Sequence, residues 1–396
     1  MPNETPFFLT KIECPICKTI NEFETIKVGS YFENGRDTDF CPQDITWKYS
    51  RYQSYNPLVY FTAVCSNCYY AREFNNSFKE WKNDNTFRAY KLKTIKDNHL
   101  DQLAQADSVI RTLGEAIDVS RYPNESGIIK LHLAIIDELL AGRVTNLDLG
   151  RFYLRVGWIF RDMNNGENPQ ENFLNGLLLE IENKFSSYRG ELEDSRNSLE
   201  KYVSLLNAHF ESDSLTNDIK SIIYPYKEKF AEKITQLEKS LQEIEARSED
   251  YTQLFNEYRS AAVGGESTPG GMMQFGNFHS FKEFLNNLKQ KNSNIVTNEK
   301  EALVKAIHYY KEAFAGGREI TPGNQQIQAS YLIAELSRRV QDYDGAKEYF
   351  NSTIKSGQEY IYQNRNDRSR TALARKILEL AIEQGKENMS ALKGKK

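Results

Sequence analysis

Four cysteines carry the clearest chemistry in the chain. Cys14-Pro15-Ile16-Cys17 and Cys65-Ser66-Asn67-Cys68 each set two sulfurs on one tight turn. Two such turns brought together make a tetrahedral four-thiolate cage for a zinc ion. Four thiolates leave no coordination position for a substrate water, so Cys14, Cys17, Cys65 and Cys68 predict a structural Zn²⁺ rather than metalloenzyme chemistry. Such an ion contributes on the order of 10 kcal/mol to a module too small to be held by its own core. Two other readings of the same residues stand beside the cage. One is an exposed Cys-x-x-Cys redox pair, which calls for a single pair in a βαβ setting; the other is buried thiols with no shared role. Cys41, followed by Pro42, reads as a small buried apolar residue that is also able to replace one of the four ligands.

No second constellation competes with the cage. The five histidines, His99, His132, His209, His279 and His308, are scattered without a partner at ligand spacing, and none is assigned to the metal. No G-x-S-x-G elbow occurs, and acidic pairs such as Glu180 and Glu182 or Glu299 and Glu301 fit solvated helix faces better than an acid and base flanking a cleft. No catalytic residue is expected, and the chain is expected not to be an enzyme.

The elements that must position the cysteines follow from the spacing. The 47 residues between the two turns exceed the usual 15–20, so that segment must itself be folded. Ile20 to Tyr31, Ile45 to Tyr52 and Leu58 to Val64 are rich in β-branched and aromatic residues and predict strands. Glu33-Asn34-Gly35 and Asn56-Pro57 predict turns. After Asn76 the period lengthens to that of helices. A helix from about Gly127 to Ala141 and another from Asp148 to Arg161, with Tyr153, Val156, Gly157 and Phe160 on one face, predict a helical hairpin. Glu299 to Phe314 and Gln328 to Ile354 repeat the idea around Ala306, Tyr310, Ala313, Ile333, Ala334, Ala346 and Phe350, with a turn at Gln341 to Asp344.

Between these blocks, Phe230, Ile234, Leu237, Leu241, Ile244, Ser248, Tyr251, Phe255 and Tyr258 keep a heptad spacing, as do Leu192, Arg196, Leu199, Val203, Leu206 and Phe210. With a turn in Glu211 to Pro225, and Pro225 suited to the first position of the returning helix, residues 185–260 predict an antiparallel coiled-coil arm; packing of both helices within the helical body is the alternative. Gly264-Gly265, Pro269-Gly270-Gly271 and Gly276 predict a connector over 261–276 that lacks the lysine and the strand of a phosphate loop.

Charge narrows the partners. Lys and Arg number 51 against 55 Asp and Glu, a net of −4, which excludes the basic footprint of a dedicated nucleic-acid binder. Residues 1–74 hold seven basic and nine acidic residues, a balance that would repel phosphate. Arg365, Arg368, Arg370, Arg375, Lys376, Lys393, Lys395 and Lys396 form a local basic excess, read as a solvated helix face or tail. The most apolar run, Ile128 to Ala141, contains Lys130, His132, Asp137 and Glu138 and falls short of the roughly 20 apolar residues of a membrane span. No export signal is visible in Met1 to Pro15, so a cytoplasmic chain is expected.

Cys14 to Cys17, Phe23 to Val28, residues 35–40, Asn56-Pro57-Leu58-Val59-Tyr60 and Val64 to Ala71 resemble the amino-terminal module of the bacterial domain of unknown function 2225 family. Tyr153 to Asp162 resembles its first helix pair, and Tyr331 to Phe350 its tetratricopeptide-like repeat. The glycine common after each cysteine turn is Lys18 and Tyr69 here, and the heptad segment looks like an insertion.

The resemblance implies a zinc ribbon followed by tetratricopeptide-like helices. With the helical periods and the heptad seam, the expected fold is mainly α: tetratricopeptide-like helical hairpins with a coiled-coil hairpin insertion, preceded by a small β-rich zinc-ribbon module. The corresponding divisions are 1–74, the zinc-ribbon-like module; 75–184, helical hairpins; 185–260, the arm; 261–276, the connector; and 277–396, tetratricopeptide-like carboxy-terminal helices. Such a chain is expected to be a scaffold docking protein partners, with homo-oligomerisation through the arm open. A nucleic-acid-associated regulator using the carboxy-terminal basic segment and a thiol-based redox switch are the alternatives.

Overall fold

The amino-terminal segment forms three two-stranded antiparallel hairpins rather than one sheet. In the computed structural model, which describes residues 5–49, 52, 55–166, 169–211, 215–262, 275, 278 and 280–394, β1 (Phe7–Glu13) pairs with β2 (Ile20–Ile26), Phe7 opposite Ile26 and Glu13 opposite Ile20. β3 (Tyr31–Arg36) pairs with β4 (Pro42–Trp47), and β5 (Thr62–Val64) with β6 (Ala71–Glu73).

Several expected boundaries move. The sequence pattern does not announce β1, because exposed Phe8 and Leu9 break its alternation. The run from Ile20 to Tyr31 is interrupted by a turn in which Gly29 takes a φ of 74°. Glu33-Asn34-Gly35 continues β3, and the turn falls after it. The strand expected over Ile45 to Tyr52 begins at Pro42 and ends at Trp47. Leu58 and Val59 sit in a 3₁₀ turn, Pro57–Tyr60, in which the Asn56 side chain accepts from Leu58 N–H, since proline suits the start of a helical turn and removes a ladder donor from a strand.

From Asn76 onward the described structure is helical, in agreement with the mainly α class. Short helices α1 (Asn76–Lys79), α2 (Asn85–Tyr90), α3 (Leu92–Ala104) and α4 (Val109–Glu115) lead into α5 (Pro123–Leu139) and α6 (Asn146–Gly166). Side-chain oxygens of Asn75, Asp84 and Ser108 cap α1, α2 and α4. α5 is buried nearly all round, and so carries His132 and Asp137 into the interior. Then come α7 (Pro169–Glu211), α8 (Asn217–Ala262), α9 (Phe281–Lys291), α10 (Glu299–Gly316), α11 (Asn324–Arg339), α12 (Tyr343–Gln363) and α13 (Arg368–Gly394). The basic carboxy-terminal run therefore lies on a helix whose other face buries Thr371, Ala374, Ile377 and Ala381. No helix among the described residues is long and apolar enough to cross a membrane.

The chain divides into two compact units, 1–163 with 273–396, and 164–272. In the first, α6 runs antiparallel to α10: Arg161 pairs with Glu299, while a side chain at Gly157 or Gly150 would press on Leu303 or on the Tyr310 ring. Ala334 of α11 and Ala346 of α12, both fully buried, let those helices approach, and Tyr331 and Phe350 fill the space beside them. The connector expected over 261–276 lies outside the described residues except at 261, 262 and 275.

The second unit is a helical hairpin. Leu192, Arg196, Leu199, Val203, Leu206 and Phe210 of α7, and Phe230, Ile234, Leu237, Leu241, Ile244 and Ser248 of α8, are all half-buried, while most positions between them are exposed. Phe185 meets Tyr251, Arg189 meets Glu245 and Phe210 meets Tyr224, so the helices are antiparallel. Two details differ from expectation. Tyr251 is exposed, and α8 begins at Asn217, so Pro225 lies inside the helix rather than at its start. Its missing N–H leaves the carbonyl of Ser221, four positions earlier, without a donor within the helix.

Candidate metal centre

β1 and β2 present the first cysteine turn, and β5 and β6 the second; the two are built alike. Cys14 N–H donates to Thr19 O at 2.9 Å and Lys18 N–H to Cys14 O at 3.1 Å; Cys65 N–H donates to Tyr70 O and Tyr69 N–H to Cys65 O, both at 2.9 Å. Closing these turns puts Lys18 at φ 65° and Tyr69 at φ 62°, the left-handed region that glycine adopts without strain. Neighbours hold both residues there. The Lys18 ammonium lies 4.4 Å over the Trp81 ring, and the Tyr69 ring fills the space where Gly114 lacks a side chain.

The four thiols converge. Cys14 Sγ and Cys68 Sγ are 3.7 Å apart, Cys17 Sγ and Cys65 Sγ 3.5 Å, and all four lie within 4.8 Å of one another. A tetrahedron of Zn–S bonds of about 2.3 Å has edges of about 3.8 Å. A disulfide would need about 2.05 Å, and all five cysteines are free. Thiols this close resist ionising together: Cys65 beside it pushes Cys14 up to about 12, and Cys14 and Cys65 raise Cys68, while thiols donating to Cys65 lower it. A divalent cation removes that conflict by pairing with every sulfur at once. The donor set and its spacing thus fit a four-coordinate ion such as zinc.

Cys41 is not in this group. It is buried in a different core, with its thiol pushed up to about 12 by burial and by Asp39. Ile16, Tyr70, Trp81 and Ala63 bury the cysteine turns.

Three polar residues around the cage escape sequence reasoning. Asn21, buried on β2, donates to Cys65 Sγ at 3.5 Å and to Thr19 O, and accepts from the Ser66 amide and hydroxyl. His99 of α3 is buried with both ring nitrogens facing acceptors, Nδ1 at 2.6 Å from Asp137 Oδ1 and Nε2 at 2.8 Å from Cys68 O. Only the imidazolium donates to both. Burial opposes that charge, but the Asp137 carboxylate outweighs it and raises the His99 pKa above its ordinary value. Asp137 also accepts from Ala71 N–H at 2.7 Å. The second turn is thereby bolted to α5. The signal for this was a histidine on the helix next to the module, though nothing in its spacing pointed to a carbonyl rather than a metal.

A second bolt lies at the tip of the β3–β4 hairpin. Asp39, fully buried, accepts from Arg161 and from Trp158 Nε1, Asp37 accepts from Arg161 and Arg339, and Thr38 O accepts from the Tyr331 hydroxyl. Residues 37–39 thus tie the module to both α6 and α11.

A family model described as an uncharacterized protein conserved in bacteria (DUF2225) matches residues 7–254 and 214–376, segments that include the α7–α8 hairpin. No curated protein and no solved structure matches the chain.

Proposed function

The chain belongs to the bacterial DUF2225 family, and from that premise we propose that it is a non-catalytic scaffold whose zinc-ribbon module is stapled by one structural Zn²⁺ and whose helices dock partner proteins. The observation that carries the reading is the closed sulfur set. Four cysteines with edges near those of a zinc tetrahedron leave a bound ion no position for substrate. Zinc supplies cross-linking there, while Asn21, His99 and Asp137 hold the turns in place.

The helices support the docking half. The heptad seam of α7 and α8 reads as a coiled-coil arm, and the pairs formed by α10 to α13, with Ala334 and Ala346 at a close approach, read as tetratricopeptide-like hairpins. Helical hairpins of this kind recognise extended peptides or helices.

The test uses the full-length chain and a variant lacking residues 185–260 as baits in the native cell, with elemental analysis of the purified bait. The expected outcome is one zinc per chain and a partner protein recovered stoichiometrically with the full chain and lost from the variant. Absence of stoichiometric metal, or recovery of the chain alone, overturns the reading. Reversible zinc release by mild oxidant, with a disulfide formed among Cys14, Cys17, Cys65 and Cys68, would replace it with a thiol switch.

A further inference from the structure

α12 and α13 pack antiparallel and leave a groove between them of about 470 Å³. Its floor is apolar: Phe350 and Ile354 from α12, and Ile382 and Met389 from α13. Ile382 and Met389 are each 38 % exposed. The opening exists because α13 carries glycine at the crossing, where a Cβ at Gly385 would already touch Phe350 at 3.7 Å. It is also preformed, since the buried Asn388 side chain donates to Tyr343 O at 2.8 Å and fixes α13 on the start of α12.

The rim says what fits. Lys347, Lys386 and Lys393 line the groove, all exposed, and no carboxylate is among its lining residues. Among the described residues none of the three makes an ion pair, although salt bridges are frequent elsewhere on this chain. The wall from Ile382 to Lys393 is about 16 Å long at 1.5 Å per residue, enough for three turns of a guest helix.

We propose that this groove is the docking site for an acidic amphipathic helix of a partner protein, its apolar stripe on Ile354, Ile382 and Met389 and its flanking carboxylates on Lys347, Lys386 and Lys393. The concave groove between two helices favours a helix over a membrane surface, because a flat bilayer would reach the rim lysines but not fill the groove. Methionine on the floor allows guests of differing shape. The inference rests on the scaffold reading and names the partner chemistry at one surface of it.

The test measures fluorescence anisotropy of a labelled helical peptide carrying Leu at i, i+3, i+4 and i+7 with Glu on both flanks, against the zinc-loaded full-length protein. A second peptide replaces every Glu with Lys, and acidic phospholipid vesicles serve as the membrane arm. The Glu peptide is expected to bind and to weaken as salt is added, and the Lys peptide to bind at least tenfold more weakly. The doubly reversed Lys386→Glu, Lys393→Glu protein should lose at least tenfold for the Glu peptide. Lys386→Ala with Lys393→Ala, which adds no new charge, should lose less in the same direction. Equal binding of both peptides, no binding of either, or unchanged binding by the variants overturns the proposal. So does vesicle binding that depends on these lysines while the peptide does not. None of these results touches zinc content or recovery of the arm-dependent partner, so the scaffold reading fails or stands separately.

Discussion

At the scale of single residues, the geometry of the candidate metal centre rests on groups outside the four cysteines. His99 satisfies two acceptors that have no other way out of the interior, so His99→Ala leaves Asp137 buried with one bond and Cys68 O with none. Removing one partner of a buried pair costs about 3–5 kcal/mol, and loss of a group that orients a ligand typically weakens metal binding about 10–100-fold. Competition with a chromophoric chelator should show that drop; affinity equal to the wild type would mean the cysteine turn stands without α3. Gly114→Ala acts from the other side. A methyl there would lie 2.1 Å from the Tyr69 ring, which cannot retreat without disturbing a residue already held at positive φ. A loss of about 1–3 kcal/mol is expected by urea unfolding of the zinc-loaded protein. The cysteines themselves were legible because their chemistry is written in a four-residue spacing. Asn21, His99 and Asp137 were not, because what defines them is burial beside a distant turn.

At the scale of elements, two buried histidines titrate in opposite senses. Against the pull of burial, His99 is shifted up by the Asp137 carboxylate, whereas His132 is fully buried on α5, accepts the Val296 amide at Nε2 and is lowered to about 4, chiefly by burial. Its pKa in the unfolded chain is near the ordinary 6.5, so the unfolded state binds more protons between the two values. The stability contributed by neutral His132 is therefore complete above about 6.5 and is lost as the pH falls toward about 4, by about 3 kcal/mol in all. His132→Asn should flatten the unfolding free energy over that window relative to the wild type, read from urea midpoints at successive pH values. An unchanged slope would assign the acid sensitivity to other groups. Element boundaries were legible where one period dominates. Each heptad position from Leu192 to Phe210 and from Phe230 to Ser248 is half-buried as its spacing implies. They were lost where a short-range rule competed: Pro225 looked like a helix start and instead sits eight residues inside α8, because the flanking pattern on both sides is already helical.

At the scale of the whole molecule, the module and the helices of the first unit are joined by the Asp37–Asp39 loop and the His99–Asp137 pair, while α7 and α8 form their own seam. Zinc removal by chelation should therefore spread selectively. Amide exchange is expected to rise across residues 7–73 and in α3 and α11, and to remain unchanged between 192 and 248 of the described hairpin. Uniform acceleration, or none outside the cysteine turns, would show that the cage does not support the helices. The mainly α class and the β-rich beginning were both readable from the change of period near Asn76. The docking of a hairpin tip between α6 and α11 was not, since Asp37, Thr38 and Asp39 look like any polar turn until Arg161 and Arg339 are brought to them by folding.

The hydrogen bond from Thr38 to Glu335 joins positions 297 residues apart, and this has a consequence for biosynthesis. On a ribosome adding roughly 5–20 residues per second, about 15–60 s separate the emergence of these two partners. The four cysteines are complete early in that interval, long before Arg339 exists to receive the acidic tip. Translation thus passes through a stage in which all four cysteines are made and the α11 partners of Asp37 and Thr38 are not.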